Sequence, residues 1–259
     1  MQKYIIYKNS KIAYSDIGKG STIVLLHGFL ENSTMWNFIA ESLAKKNRVI
    51  CIDLLGHGNS ACIGYIHTMT DMALAVKEVL KLLRLRKFYI VGHSMGGYVS
   101  LALAEKYPEQ IKGICLLNST AQADTLERKK IRVRACKVAQ TNYENLIKMG
   151  ISNLFTETAK KHFFIEIEQV KKQALSISIQ GYIGATEGMR LRENKEAVLQ
   201  KIAKRLFIAS VSDTVLNFQS VVAESYRTKT PLCKLDGGHM SYIEDTQSLL
   251  KYIKQFVAS

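Results

Sequence analysis

The sequence predicts an α/β protein: a mostly parallel, twisted sheet of eight strands, helices on both faces, and a helical segment inserted late in the chain. Three observations predict it. Short runs rich in Ile, Val and Leu alternate with longer segments of helical period, which is the pattern of strands covered on both sides. The one long departure from that rhythm, 121–198, is itself helical in character and holds no convincing strand. Finally, 259 residues with 47% apolar and 22% charged side chains fit one globular unit with an insertion, and exclude disordered, collagenous and coiled-coil chains.

Residues 3–8 and 11–15 are separated by Asn9 and Ser10 and read as an antiparallel hairpin. The later strands are expected at 21–26, 48–53, 88–91, 113–117, 205–209 and 231–235. One helix starts near Ser33 and Thr34 and ends at Lys46. A second begins near Thr70 and Asp71, with Ala73, Val76, Leu80 and Leu83 on one stripe. A third runs from about Gly96 to Tyr107 and is stopped by Pro108, and a fourth is expected at about 218–226. The insertion opens with the basic stretch ERKKIRVRACK. It is read as a cap of about 80 residues on a core of about 180, formed by 1–120 and 199–259.

The net charge of +14 prompts a search for a polyanion partner. It divides as +6, +5 and +3 among 1–120, 121–198 and 199–259, and no zinc finger, RNP sequence or helix-turn-helix accompanies it, so no nucleic-acid partner is expected. The basic cluster 128–137 reads as a solvated helix face. No apolar run approaches the roughly 18 residues of a membrane helix, and the N-terminal apolar stretch is broken at once by lysine, so neither a membrane partner nor an export signal is expected. Five widely spaced cysteines without a CxxC pair fit reduced thiols in the cytoplasm.

The strongest local signal is Gly92-His93-Ser94-Met95-Gly96, set directly after an expected strand and directly before an expected helix. A serine at such an elbow is forced into a strained conformation that pushes its Oγ out at the top of the sheet, and the flanking glycines leave room for the turn. Ser94 is the candidate nucleophile. A hydroxyl needs a base within hydrogen-bond reach, itself oriented by a carboxylate. Of six histidines, His239 in DGGHM follows the last strand at the same sheet edge and is the candidate base. Asp213 follows the penultimate strand and is the candidate acid, with Asp124 as the competitor. Two backbone N–H donors for an oxyanion are expected at Met95, where the helix starts, and at Phe29, after His27-Gly28.

With these residues in hand, the chain resembles the α/β-hydrolase superfamily, in the branch of small intracellular esterase-like enzymes with a helical cap. The resemblance runs through His27-Gly28-Phe29, the segment 53–60 (DLLGHGNS), Gly92 to Gly97, Asp213 and Gly238-His239. The family usually has D-x-P-G-x-G-x-S in the second of these, and Leu55 stands where proline is common. The resemblance implies an eight-stranded α/β-hydrolase fold and a serine hydrolase acting on a small or medium carboxylic ester through an acyl-serine. A serine nucleophile disfavours the aspartate-dependent dehalogenase and epoxide hydrolase branches. A lactonase, thioesterase, carbon–carbon bond hydrolase or menaquinone-pathway lyase-like synthase would show the same triad. A small-molecule receptor retaining the triad is the alternative class.

No metal-ligand spacing, P-loop or dinucleotide fingerprint occurs, so neither cofactor nor metal is expected. A basic cap invites an anionic substrate, with Arg132 and Arg134 as the residues to neutralise. Trp36, Tyr143, Phe155, Phe163, Phe164 and Tyr182 are candidates to line a pocket or to fill a core.

Overall fold

The computed structural model describes residues 2–258. Strands β1 (Lys3–Tyr7) and β2 (Ser10–Gly18) form the expected hairpin, but the turn is Lys8-Asn9, both at positive φ, and Ser10 already pairs with Tyr7. A two-residue turn with both residues left-handed matches the twist of the flanking strands. Then follow β3 (Ser21–Leu26), β4 (Asn47–Ile52), β5 (Phe88–His93), β6 (Ile111–Leu117), β7 (Arg205–Ser210) and β8 (Leu232–Leu235). The sheet order is β1-β2-β4-β3-β5-β6-β7-β8. The β1–β2 and β2–β4 pairs are antiparallel and the rest parallel.

Helices α1 (Asn37–Ala44) and α12 (Thr246–Ala258), the latter preceded by the short α11 (Ser241–Glu244), cover one face; α2 (Met69–Leu82), α3 (Met95–Lys106) and α10 (Phe218–Thr228) cover the other. Successive side chains of one strand point to opposite faces, so β3 sends Ile23 and Leu25 into the core beneath α1 and α12 and Val24 and Leu26 into the core beneath α2 and α3. Helix α2 begins before Thr70 because Thr68 caps it: its hydroxyl accepts the Asp71 N–H while the Asp71 carboxylate accepts the Thr68 N–H.

Between β6 and β7 lie α4 (Leu126–Ala139), α5 (Tyr143–Ser152), α6 (Glu157–His162), α7 (Phe164–Leu175), α8 (Ile179–Arg190) and α9 (Glu196–Lys201). Helices α5 to α8 close around their own apolar centre, including Ile147, Ile151, Phe155 and Ala174. Helix α9 runs across residue 198 and packs instead on α3 and α10, with Leu199 in the main core. No helix among the described residues is long and apolar enough to cross a membrane.

The register aligns the carboxyl ends of the central strands. Leu26 pairs with Gly92, His93 with Leu117, Leu117 with Ile208, and Ser210 with Leu235. The loops after β3, β5, β6, β7 and β8 therefore leave the sheet along one edge. The strand order reverses between β3 and β5, where a doubly wound sheet opens a crevice at its carboxyl ends.

Candidate active site

Ser94 stands at the β5–α3 elbow with φ 49° and ψ −115°, a region that costs a non-glycine residue about 1–3 kcal/mol. The surroundings hold it there. Its N–H donates to the Leu117 carbonyl (2.9 Å), and its own carbonyl accepts the Gly97 N–H (2.9 Å) and the Ser119 hydroxyl (2.8 Å). The two glycines of the pentapeptide are demanded by close approach: a Cβ on Gly92 would strike the Gly96 backbone, and one on Gly96 would strike the Leu26 carbonyl.

The structure brings Ser94, His239 and Asp213 together. His239 Nε2 lies 3.0 Å from Ser94 Oγ, and His239 Nδ1–H donates to the Asp213 carboxylate, with Oδ2 at 2.9 Å and Oδ1 at 3.0 Å. Asp213 Oδ1 also accepts the backbone N–H groups of Val215 (2.7 Å) and Leu216 (2.9 Å). Burial alone would raise the Asp213 carboxyl, but the His239 ring and the two backbone donors outweigh it and hold it below the usual carboxylate range. The competitor Asp124 is elsewhere, taking a guanidinium from Arg132 (2.5 Å) and another from Arg192 (2.7 Å).

Phe29 and Met95 head the adjacent β3 and β5 loops, and among the described residues neither backbone N–H has a hydrogen-bond partner within the protein. The Met95 N–H is the first of α3, so the positive end of the helix dipole faces the same place. Leu30 follows at φ 66°.

Sequence reasoning missed the residues that tie these loops to one another. Glu31 Oε2 accepts the Gly28 N–H (2.5 Å) and lies 2.8 Å from His93 Nδ1, while His93 Nε2 lies 3.0 Å from the His239 carbonyl oxygen. A carbonyl only accepts, so Nε2 carries a proton, and a second proton lies between Nδ1 and the Glu31 carboxylate, the two groups forming an almost fully buried pair. Burial would raise Glu31, but the His93 charge and hydrogen bond hold it low. Burial would lower His93, but Glu31 holds it above its ordinary value. Asn118, at φ 42°, completes the clamp. Its Nδ2 donates to the His239 carbonyl (2.9 Å) and to Ser241 Oγ (3.0 Å), and its Oδ1 accepts the Ser210 N–H (2.9 Å).

Glu31→Gln should therefore destabilise the protein by about 3–5 kcal/mol, the cost of leaving one member of a buried pair alone. Glu31 contributes above its ordinary 4.5, and that share is lost as pH falls through the lowered folded value. His93 contributes below its ordinary 6.5, and that share is lost as pH rises through the raised folded value. Urea unfolding across pH should show the wild-type advantage over Glu31→Gln largest between those limits; a difference that is flat with pH speaks against the pair.

The other histidines have structural places. His27 Nε2 accepts the Leu54 N–H (2.8 Å), so its Nδ1–H donates to the Gly28 carbonyl (2.7 Å), and burial holds it neutral. Burial pushes His57 down to about 3. His67 Nε2 accepts the Ile63 N–H (3.1 Å). Asp53 knots the loop after β4 by accepting the N–H groups of Ser33 (2.7 Å) and Asn59 (2.8 Å). Among the described residues no group of three or more His, Cys, Asp or Glu could hold a metal ion.

A cleft of about 190 Å³ opens over Ser94 and His239, walled by Phe29, Leu146, Leu154, Tyr182 and Met189, with Arg128 and Arg132 entering its lining from α4. The α5–α6 connection rests on the His239 loop, since the Leu154 carbonyl accepts the His239 N–H (3.2 Å) and the Thr156 hydroxyl donates to Glu244 (2.8 Å). Of the candidate aromatics, Tyr182 lines the cleft, Trp36 and Phe155 are buried in cores, Tyr143 and Phe163 pack against the apolar centre of α5 to α8, and Phe164 is exposed.

Residues 21–246 match the family of the α/β hydrolase fold. A thermophilic esterase from Thermogutta terrifontis, solved in a malate-bound form, superposes with a TM-score of 0.91 at 27% identity, over 100% of this chain and 98% of that one. The enol-lactonase from Burkholderia xenovorans superposes with a TM-score of 0.92 at 20% identity, over 99% and 100%, which shows a shared fold. A protein of Bacillus subtilis described as a putative 2-succinyl-6-hydroxy-2,4-cyclohexadiene-1-carboxylate synthase is 32% identical over 127 residues, 48% of this chain and 46% of that protein. The chain spans about a fifth to a half of the length of the curated relatives it matches.

Proposed function

The chain belongs to the α/β-hydrolase family, and from that premise we propose that it is a serine hydrolase cleaving a small or medium carboxylic ester through an acyl-serine intermediate. The observation that carries the reading is the relay from Ser94 Oγ to His239 Nε2 (3.0 Å) and from His239 Nδ1 to Asp213 (2.9 Å). The esterase that aligns over the whole chain supports it.

In this reading His239 takes the Ser94 proton as Oγ attacks the ester carbonyl. Asp213 fixes the ring tautomer and stabilises the imidazolium that forms. The carbonyl oxygen becomes an oxyanion between the Phe29 and Met95 N–H groups, each such donor contributing about 3–4 kcal/mol to barrier lowering. His239 returns its proton to the departing alkoxide, the alcohol leaves, and water deprotonated by the same ring releases the acid and restores Ser94. The Glu31–His93 pair and Asn118 act as positioning residues, because they hold the His239 backbone and the Phe29 loop rather than the reacting atoms. A cleft of about 190 Å³ favours short acyl groups, being below the ~300–1,000 Å³ usual for drug-sized ligands. Five free thiols, with Cys51 pushed up to about 12 by burial, support a reducing, cytoplasmic compartment.

A fluorophosphonate probe is expected to label Ser94, and p-nitrophenyl acetate or butyrate to turn over repeatedly. Labelling followed by a single acyl turnover would favour a receptor, and absence of both reactions would overturn the reading.

A further inference from the structure

Helix α4 was expected to present a solvated basic face, with Arg132 and Arg134 as the residues to test. The structure sorts that cluster differently. Arg128 and Arg132, four residues apart and so on one helix face, line the cleft over Ser94, while Arg134 is exposed. Arg132 is fixed by Asp124, whose carboxylate also takes Arg192, and Arg192 stacks on the Tyr98 ring with its guanidinium carbon 4.0 Å from the centroid. One carboxylate thus answers two guanidiniums with side chains only 13% and 7% exposed. Arg128 adds a third: its Nη1 donates to the Val215 carbonyl (3.3 Å), and no carboxylate pairs with it among the described residues. A guanidinium has five N–H donors in a fork that matches a carboxylate. Glu31, the acid lining the cleft, is occupied by His93, and Asp213 is occupied by His239.

We propose that the substrate carries a second, ionised carboxyl group that Arg128 binds, so that the enzyme selects small carboxylate-bearing esters over neutral esters of the same length. This rests on the serine-hydrolase reading for its reaction, and on the cleft alone for its charge preference. The apolar lining of the cleft, Leu146, Leu154, Tyr182 and Met189, takes the short hydrocarbon spacer. Val215, which anchors Arg128, lies two residues beyond Asp213, so the anion site is tied to the loop that carries the carboxylate facing His239.

The test compares background-corrected kcat/KM for 4-nitrophenyl hemiglutarate and 4-nitrophenyl pentanoate, which differ in a terminal carboxylate against a methyl group. The wild type should prefer the hemiglutarate by about tenfold or more, the scale of one charge-assisted hydrogen-bonded contact. Arg128→Gln should bring the ratio close to unity, and Arg134→Gln should keep it. Equal rates in the wild type, or a ratio that survives Arg128→Gln, would overturn the proposal while leaving ester hydrolysis standing. If neither ester is hydrolysed the reaction fails instead, and calorimetric titration still decides the charge preference. Glutarate should then bind at least about tenfold more tightly than glutaramide, and Arg128→Gln should remove the difference. Indistinguishable binding of the two compounds would overturn it.

Discussion

Ser94→Ala is expected to lower kcat for p-nitrophenyl butyrate by about 10⁵–10⁶-fold, leaving the modest rate that the oxyanion donors and binding alone supply. No other hydroxyl can take over at the elbow. The Ser119 hydroxyl is committed to the Ser94 carbonyl (2.8 Å), and His239 Nε2 faces Ser94 Oγ itself. Nucleophile and base act as one unit, so adding His239→Ala to Ser94→Ala should cost little more than either change alone, well short of the product of the two. The fold should survive. What holds the elbow is backbone: the Leu117 carbonyl on the Ser94 N–H, and the close packing of Gly92 and Gly96. The unfolding free energy from urea titration should therefore change by no more than surface substitutions change it, about 0.5 kcal/mol. A folded Ser94→Ala protein that retains more than about a tenth of wild-type kcat would refute Ser94 as nucleophile.

The elbow and the sheet were readable in the sequence because each is encoded by contiguous residues. A strained serine between glycines, preceded by an apolar run and followed by a helical period, states its backbone requirement locally, and the alternation of β3 between two cores follows from period two. Asp213 and His239 were readable because the order of strands fixes which loops share the carboxyl edge. The clamp was not readable. Glu31 and His93 are 62 positions apart, and Asn118 reaches the His239 carbonyl across 121, so neither partnership leaves a local pattern. The basic run of α4 shows the same limit: its composition was plain, yet which arginines turn to the cleft depends on where the helix lies over the sheet. Trp36 likewise carries no mark that separates a core tryptophan from a pocket wall, and the packing of α1 on the sheet puts it in the core.

Asp213→Asn is expected to lower kcat about 10⁴-fold with little change in structure, through the tautomer of His239. The argument lies in which oxygen the backbone holds. Oδ1 accepts the Val215 and Leu216 N–H groups, so an asparagine at this position must keep its carbonyl oxygen there and turn its NH2 towards His239 Nδ1. The carbonyl oxygen keeps its 3.0 Å contact with Nδ1, but at the Oδ2 position, 2.9 Å away, two donors now face each other. Relief comes when Nδ1 gives up its proton and accepts from the amide, which leaves Nε2 protonated and unable to take the proton from Ser94 Oγ. The wild-type carboxyl is held below the ordinary 3.8, so it remains ionised above that pH and its stabilising share is lost only as pH falls through the lowered value. Asp213→Asn should accordingly flatten the acid limb of the stability curve while kcat stays depressed across neutral pH. Asp124→Asn makes the contrast. It loosens Arg132 and Arg192, costing about 3–5 kcal/mol as a broken buried pair, but leaves the His239 tautomer alone, so kcat on a neutral ester should stay within about tenfold of wild type. The reverse outcome, kcat collapsing in Asp124→Asn and surviving in Asp213→Asn, would transfer the acid's role to Asp124.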